Sequence, residues 1–130
     1  MAKKRILVID PAEYMKDFIS SRVGVNFEVL SAPDEVEALQ MCVEYRPSIV
    51  TTELQVSQTT GAEITRKILE IQPETRIIVV SSNHDEKSIL SAINCGAAAY
   101  VWKPLLIKNI LKILDYVQQD DFRPTIFTCA

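Results

Sequence analysis

Arg5-Ile6-Leu7-Val8-Ile9-Asp10 sets four consecutive apolar residues between two charged ones. A run this short, with no polar residue inside it, suits a strand covered by helices on both faces rather than one with a wet side. Outward from it, four more runs rich in β-branched residues follow: Phe27 to Ala32, Ser48 to Glu53, Arg76 to Ser81 and Ala98 to Trp102. The first, third and fourth of the five are almost continuously apolar inside. Segments of helical period lie between them. Met15, Phe18, Ile19 and Arg22 trace one stripe, Val36, Leu39 and Val43 a second, and Ile64, Ile68 and Ile71 a third. Ile89, Leu90 and Ile93 trace a fourth, and Ile107, Ile110, Leu111, Leu114 and Val117 the fifth and longest. Strand alternating with helix predicts βαβ units around a parallel sheet, an α/β fold.

The punctuation supports this division. Gly24 and Gly96 fall where the first and fourth helices should stop, and Pro47 and Pro73 lie just past the second and third. Pro33, followed by Asp34 and Glu35, suits the first turn of the second helix, where a missing N–H costs little and negative charge meets the positive helix end.

With 130 residues, 48% of them hydrophobic and 24% charged, the chain fits one globular domain. A net charge of −3 and a pI near 5.2, with no basic block longer than Lys3-Lys4-Arg5, give no footprint for a nucleic-acid backbone. Asp10 ends the first apolar run well short of a signal-peptide core, and no segment is long enough to cross a membrane. Neither nucleic acid nor membrane is expected as a partner. Cys42, Cys95 and Cys129 form no CxxC pair and have only His84 as a fellow ligand, so neither a disulfide framework nor a zinc site is supported. Reduced thiols and a cytoplasmic location are the expectation. The helical pattern lapses after Gln119. Residues 1–119 read as the domain and residues 120–130 as a C-terminal tail, either adding a strand or linking to a further domain.

In an open parallel sheet the functional crevice lies outside the C-terminal ends of the strands. Those ends are Asp10-Pro11, Glu53, Ser81-Ser82-Asn83 and Trp102-Lys103-Pro104, which bring two carboxylates, a pair of hydroxyls and an ammonium toward one pocket. A nucleotide enzyme would need a Gly-rich phosphate loop after the first strand, and Asp10-Pro11-Ala12-Glu13 has no glycine and the wrong charge. No enzymatic activity is expected.

Ile6-Leu7-Val8-Ile9-Asp10, the approach Arg46 to Gln55, Gly61, Ile77-Ile78-Val79-Val80-Ser81 and the stretch Gly96 to Leu105 together resemble the response-regulator receiver family, from about Lys4 to Val117. The resemblance implies a three-layer, flavodoxin-like (βα)5 fold, with a five-stranded parallel sheet in the order 2-1-3-4-5 and helices on both faces. It also implies a phosphorelay. In the family an aspartate takes a phosphoryl group from a histidine kinase, Mg²⁺ bridges the acidic cluster to the phosphoryl oxygens, and a switch aromatic then alters a partner-binding face. By resemblance Asp10 is a pocket acid, Glu53 stands at the phosphoacceptor position, Ser81 is the switch hydroxyl and Tyr100 the switch aromatic. Lys103 and Pro104 match the family's Lys-Pro pair.

Two positions depart from the pattern. Glu53 replaces the aspartate, and one extra methylene moves its oxygens by about 1.5 Å; a misplacement of about 1 Å can cost about a hundredfold in rate. Pro11 replaces the second acidic residue, a metal ligand in the family, and offers neither a side-chain oxygen nor a backbone N–H. Val56-Ser57-Gln58-Thr59-Thr60 also strays from the family's usual sequence. No metal is therefore expected here. A Glu53–Lys103 salt link is the expected replacement, worth about 4 kcal/mol gross at about 4 Å and an effective dielectric of about 20, much of it removed by desolvation.

Plainer roles stand beside these. Asp10 can cap the first helix, Ser81 can bond the local backbone, and Tyr100 and Trp102 can be core packing on one side of their strand. A degenerate receiver acting through protein partners is one reading: a histidine kinase, an output domain or a second copy. A working receiver phosphorylated despite its pocket is the other.

Overall fold

The computed structural model describes residues 3–56, 58–82 and 85–127. Ser57, Asn83, His84 and Cys129, with the readings placed on them, lie outside the described residues. The elements are β1 (Lys4–Ile9), α1 (Tyr14–Val23), β2 (Phe27–Ala32), α2 (Glu35–Tyr45), β3 (Ile49–Glu53), β4 (Gln55–Val56), β5 (Thr59–Thr60), α3 (Gly61–Ile71), β6 (Arg76–Ser81), α4 (Glu86–Asn94), β7 (Ala99–Trp102), α5 (Lys103–Val117) and β8 (Thr125–Phe127).

The main sheet runs β2-β1-β3-β6-β7-β8, every pair parallel. The five runs expected from sequence thus stand in the order 2-1-3-4-5, and β8 adds a sixth strand beside β7. Alternate residues of the strands feed two faces, as the pleat requires. Ile6, Val8, Ile49, Ile78, Val80 and Val101 pack under α1 and α5. Leu7, Ile9, Val50 and Ile77 pack under α2 and α3, and Val79 and Tyr100 continue that face under α4. β4 and β5 form a short antiparallel ladder of their own.

All five stripes depart somewhere from the expectation; in α3 and α4 the departures are single residues, Ile71 and Leu90, which are exposed. α2 buries Ala38 and Cys42, while Val36 and Val43 are 66% and 62% exposed. Ala38 and Cys42, one turn apart, are the small residues that let this helix lie close against Leu7, Ile9 and Val50. In α1, Val23 completes the buried stripe; Arg22 instead lays its guanidinium over the Phe18 ring, 5.2 Å from the centroid. α5 buries Leu106, Ile110, Ile113, Leu114 and Val117 and exposes Ile107 and Leu111. Its backbone leaves helical geometry at Asn109 (φ −128°, ψ 30°), so no straight-helix count carries across that residue.

Two end signals also resolve. Pro33 lies outside α2, because Asp34 is the N-cap and its carboxylate accepts the Glu37 N–H at 3.0 Å. Gly96 ends α4 at φ +105°, a conformation that L side chains rarely adopt.

Burial pushes the Cys42 thiol up to about 11, so little thiolate exists near neutral pH. Brief iodoacetamide treatment of the native protein followed by peptide mass mapping is expected to label the half-buried Cys95 well before Cys42, with Cys42 reacting only on unfolding.

Candidate functional site

The C-terminal ends of β1, β3, β6 and β7 open onto a crevice of about 740 Å³ lined by Asp10, Pro11, Ala12, Tyr14, Glu53, Leu54, Gln55, Ser81, Ser82 and Lys103. Volume does not single it out, since another cavity of about 720 Å³ lies at the opposite end of the strands beside Lys3, Phe27 and Leu114. Chemistry does. Only the first gathers the strand-end acids, hydroxyls and ammonium.

Lys103 Nζ lies 2.6 Å from Glu53 Oε1, and each side chain is only 19% exposed. The ammonium also sits 4.9 Å from the centre of the Tyr14 ring, a cation–π contact. Tyr14 opens α1 and was not among the residues expected at the site. The available signal was its place one turn beyond Pro11, where the first helix must start beside the crevice. Burial raises the Glu53 pKa, and it prevails over the hydrogen bond and charge of Lys103, which lower it; the neighbouring Asp10 carboxylate raises it further. For Lys103, burial acts downward, but the hydrogen bonds to Glu53 and Tyr14 outweigh it and the pKa is raised. The pair orients both groups, and the burial of the carboxylate offsets part of its attraction.

Asp10 does not cap α1. Its Oδ1 accepts the Ala12 N–H at 2.9 Å, a two-residue turn of the kind aspartate favours, and the helix starts later, at Tyr14. That turn leaves Asp10 Oδ2 buried with no donor in reach among the described residues. A hydrogen bond between it and Glu53 needs a proton on the Glu53 carboxyl, which is why Asp10 raises the Glu53 pKa rather than satisfying it.

The β3 end is held by backbone. Leu54 N–H donates to Val80 O at 3.1 Å and Gly61 N–H to Leu54 O at 2.7 Å, while the Thr52 hydroxyl donates to Glu53 O at 3.0 Å. A Cβ on Gly61 would lie 2.6 Å from Glu53 O, so only glycine lets α3 begin this close to the strand that carries the carboxylate. Ser81 is buried at the end of β6 and lines the crevice. Tyr100 does not line it: the ring is fully buried against Val79, Ile89 and Ala92 beneath α4, and Trp102 on the same side is half-buried. Pro104 is exposed in the first turn of α5, outside the crevice lining. Among the described residues no group of three or more His, Cys, Asp or Glu side chains is placed to hold a metal ion, and no helix is long and apolar enough to cross a membrane.

The family model of the response regulator receiver domain matches residues 6–115. The chain belongs to the response regulator receiver family. The receiver is 29% identical over 118 residues to chemotaxis protein CheY of Thermotoga maritima, covering 89% of this chain and 98% of that protein. It is 30% identical over 107 residues to a protein-glutamate methylesterase/protein-glutamine glutaminase of Geobacter sulfurreducens, covering 80% of this chain but 29% of that protein, so the latter likeness concerns one part of a longer molecule. Its fold superposes on the chemotaxis protein CheY4 of Vibrio cholerae with a TM-score of 0.80 at 21% identity, covering 89% of this chain and 99% of that one. The layered fold and the strand order expected from sequence are those of this receiver family.

Proposed function

We propose that this receiver works as a cytoplasmic, non-enzymatic protein-interaction module of a two-component phosphorelay and is not phosphorylated in the ordinary way. The 2.6 Å Lys103–Glu53 ion pair carries the reading. On this reading it sets a fixed anion where the family forms a transient one, and it engages the one lysine among the described residues that line the crevice. Phosphoryl transfer to a carboxylate needs charge neutralisation around the incoming group, and here the neutralising ammonium is already held by the would-be nucleophile. Pro11 supports the same reading. Mg²⁺ needs a near-octahedral set of oxygens, and the crevice offers Asp10 Oδ2 plus a carboxylate committed to Lys103. These residues fit a divalent cation poorly, and the role we assign to the receiver needs none. Its partners on this reading are proteins: a histidine kinase, an output domain or a second copy.

One observation favours the working-receiver reading. Asp10 Oδ2, buried and without a donor among the described residues, is the kind of atom a cation would satisfy. Titrating millimolar Mg²⁺ while following the fluorescence of Trp102, the single tryptophan, separates the two. No saturable change is expected; saturable quenching would favour the working receiver.

A further inference from the structure

We propose that the outer edge of β7, together with the groove beside Tyr116, is a docking site for an extended peptide segment, occupied in this chain by its own residues 122–127. The family match ends at residue 115, so β8 is an addition to the matched receiver rather than part of it. It is bound the way a peptide ligand is bound. Thr125 N–H donates to Ala98 O at 3.1 Å, and the ladder sets Ala99, Tyr100 and Val101 opposite Thr125, Ile126 and Phe127. The Tyr116 hydroxyl is the clamp: it donates to Arg123 O at 2.8 Å and lies 2.7 Å from Thr125 Oγ1. Two aromatic anchors flank it. Phe127 meets the Tyr116 ring edge-on at 5.7 Å, and the Arg76 guanidinium lies 3.8 Å over Phe122; both phenyl rings pack against the core beneath α1 and α5.

Backbone pairing supplies sheet addition with its affinity and side-chain pockets supply its specificity. The ligand class follows: an extended segment, parallel to β7, with aromatic residues five apart and a hydroxyl two before the second. The ladder is three residues long, and its middle side chain, Ile126, is 45% exposed. So short a strand at a sheet edge belongs to the part of the fold that opens first. Covalent attachment gives the tail a high local concentration, so a partner segment competes only when the anchors loosen. The proposal is independent of the chemistry in the crevice.

The test uses a fluorescent peptide spanning Asp120 to Phe127 and the 130-residue chain. Binding to Phe122→Ala/Phe127→Ala is expected to be at least about tenfold tighter than to the unsubstituted chain, and adding Tyr116→Phe is expected to weaken it several-fold. A folded double variant that binds no better than the unsubstituted chain would overturn the proposal. If the double variant does not fold, hydrogen exchange of the unsubstituted chain decides. Exchange at Thr125 about tenfold or more faster than in β3 supports an exchangeable strand; exchange in step with β3 would show the tail to be inseparable and overturn it.

Discussion

Replacing Lys103 with Met is expected to lower stability by about 3 kcal/mol near neutral pH, with most of the loss recovered on acidification. Removing the ammonium strands two carboxylates, Glu53 and Asp10, in a crevice where Asp10 Oδ2 already has no donor among the described residues. The reverse change is mild. Because burial outweighs the help of Lys103, the Glu53 pKa is raised, and a neutral Gln at that position is expected to change stability by less than about 1 kcal/mol. The pH dependence has a definite sign. A carboxyl whose folded pKa lies above its ordinary 4.5 contributes stability that is fully present below that value and is lost as pH rises through the folded one. In Lys103→Met the two lowering influences vanish, so the folded pKa climbs further and the loss extends over a wider range toward neutrality. Lys103 behaves in the same sense at the alkaline end: its raised pKa contributes stability below its ordinary 10.5 that disappears as pH rises through the folded value. Urea unfolding of both variants near pH 7 and about pH 4.5 measures this. Equal losses for Lys103→Met at both pH values would contradict the assignment.

Gly61→Ala is expected to cost about 2–3 kcal/mol and to disturb the Glu53 end of β3 more than the rest of the sheet. The added methyl would meet Glu53 O at 2.6 Å and Leu54 Cα at 3.3 Å. Both are backbone atoms, fixed by the Leu54 and Gly61 hydrogen bonds to Val80 and Leu54, so no side chain can swing aside. The start of α3 must lift or the strand end must shift, and either moves the carboxylate relative to Lys103. Thermal unfolding gives the size. Amide chemical shifts concentrated near Glu53 and Leu54 give the location, and a uniformly spread change would argue against it.

The strands were legible because each is a short apolar run with polar residues at its C-terminal end, and those polar ends are where the crevice forms. Helix orientation was less so. In α2 the valines look like the buried stripe, but close packing on the sheet favours the smaller Ala38 and Cys42, a choice that depends on neighbours the local pattern does not contain. The Asn109 kink misled the count along α5 in a similar way. At the site, Glu53, Lys103, Asp10 and Ser81 could be placed because strand ends converge whatever the loops do. Tyr14 could not, since its role depends on how far past Pro11 the helix begins. The Asp10 turn is another local choice the sequence leaves open, because aspartate favours both a helix cap and a two-residue turn and here makes the turn with Ala12. β8 was one of two readings of the tail. What selects the strand is Tyr116, near the end of α5, together with Arg76 and Ala98, which lie far back along the chain.

Exposing the receiver to acetyl phosphate and Mg²⁺, beside a Pro11→Asp/Glu53→Asp variant, and weighing both by intact mass tests the pocket most directly. The unsubstituted chain should keep its mass while the variant, with a second metal-ligating acid and a shorter acceptor, gains one phosphoryl group. A phosphoryl group on the unsubstituted chain, mapped to Glu53, would contradict the account.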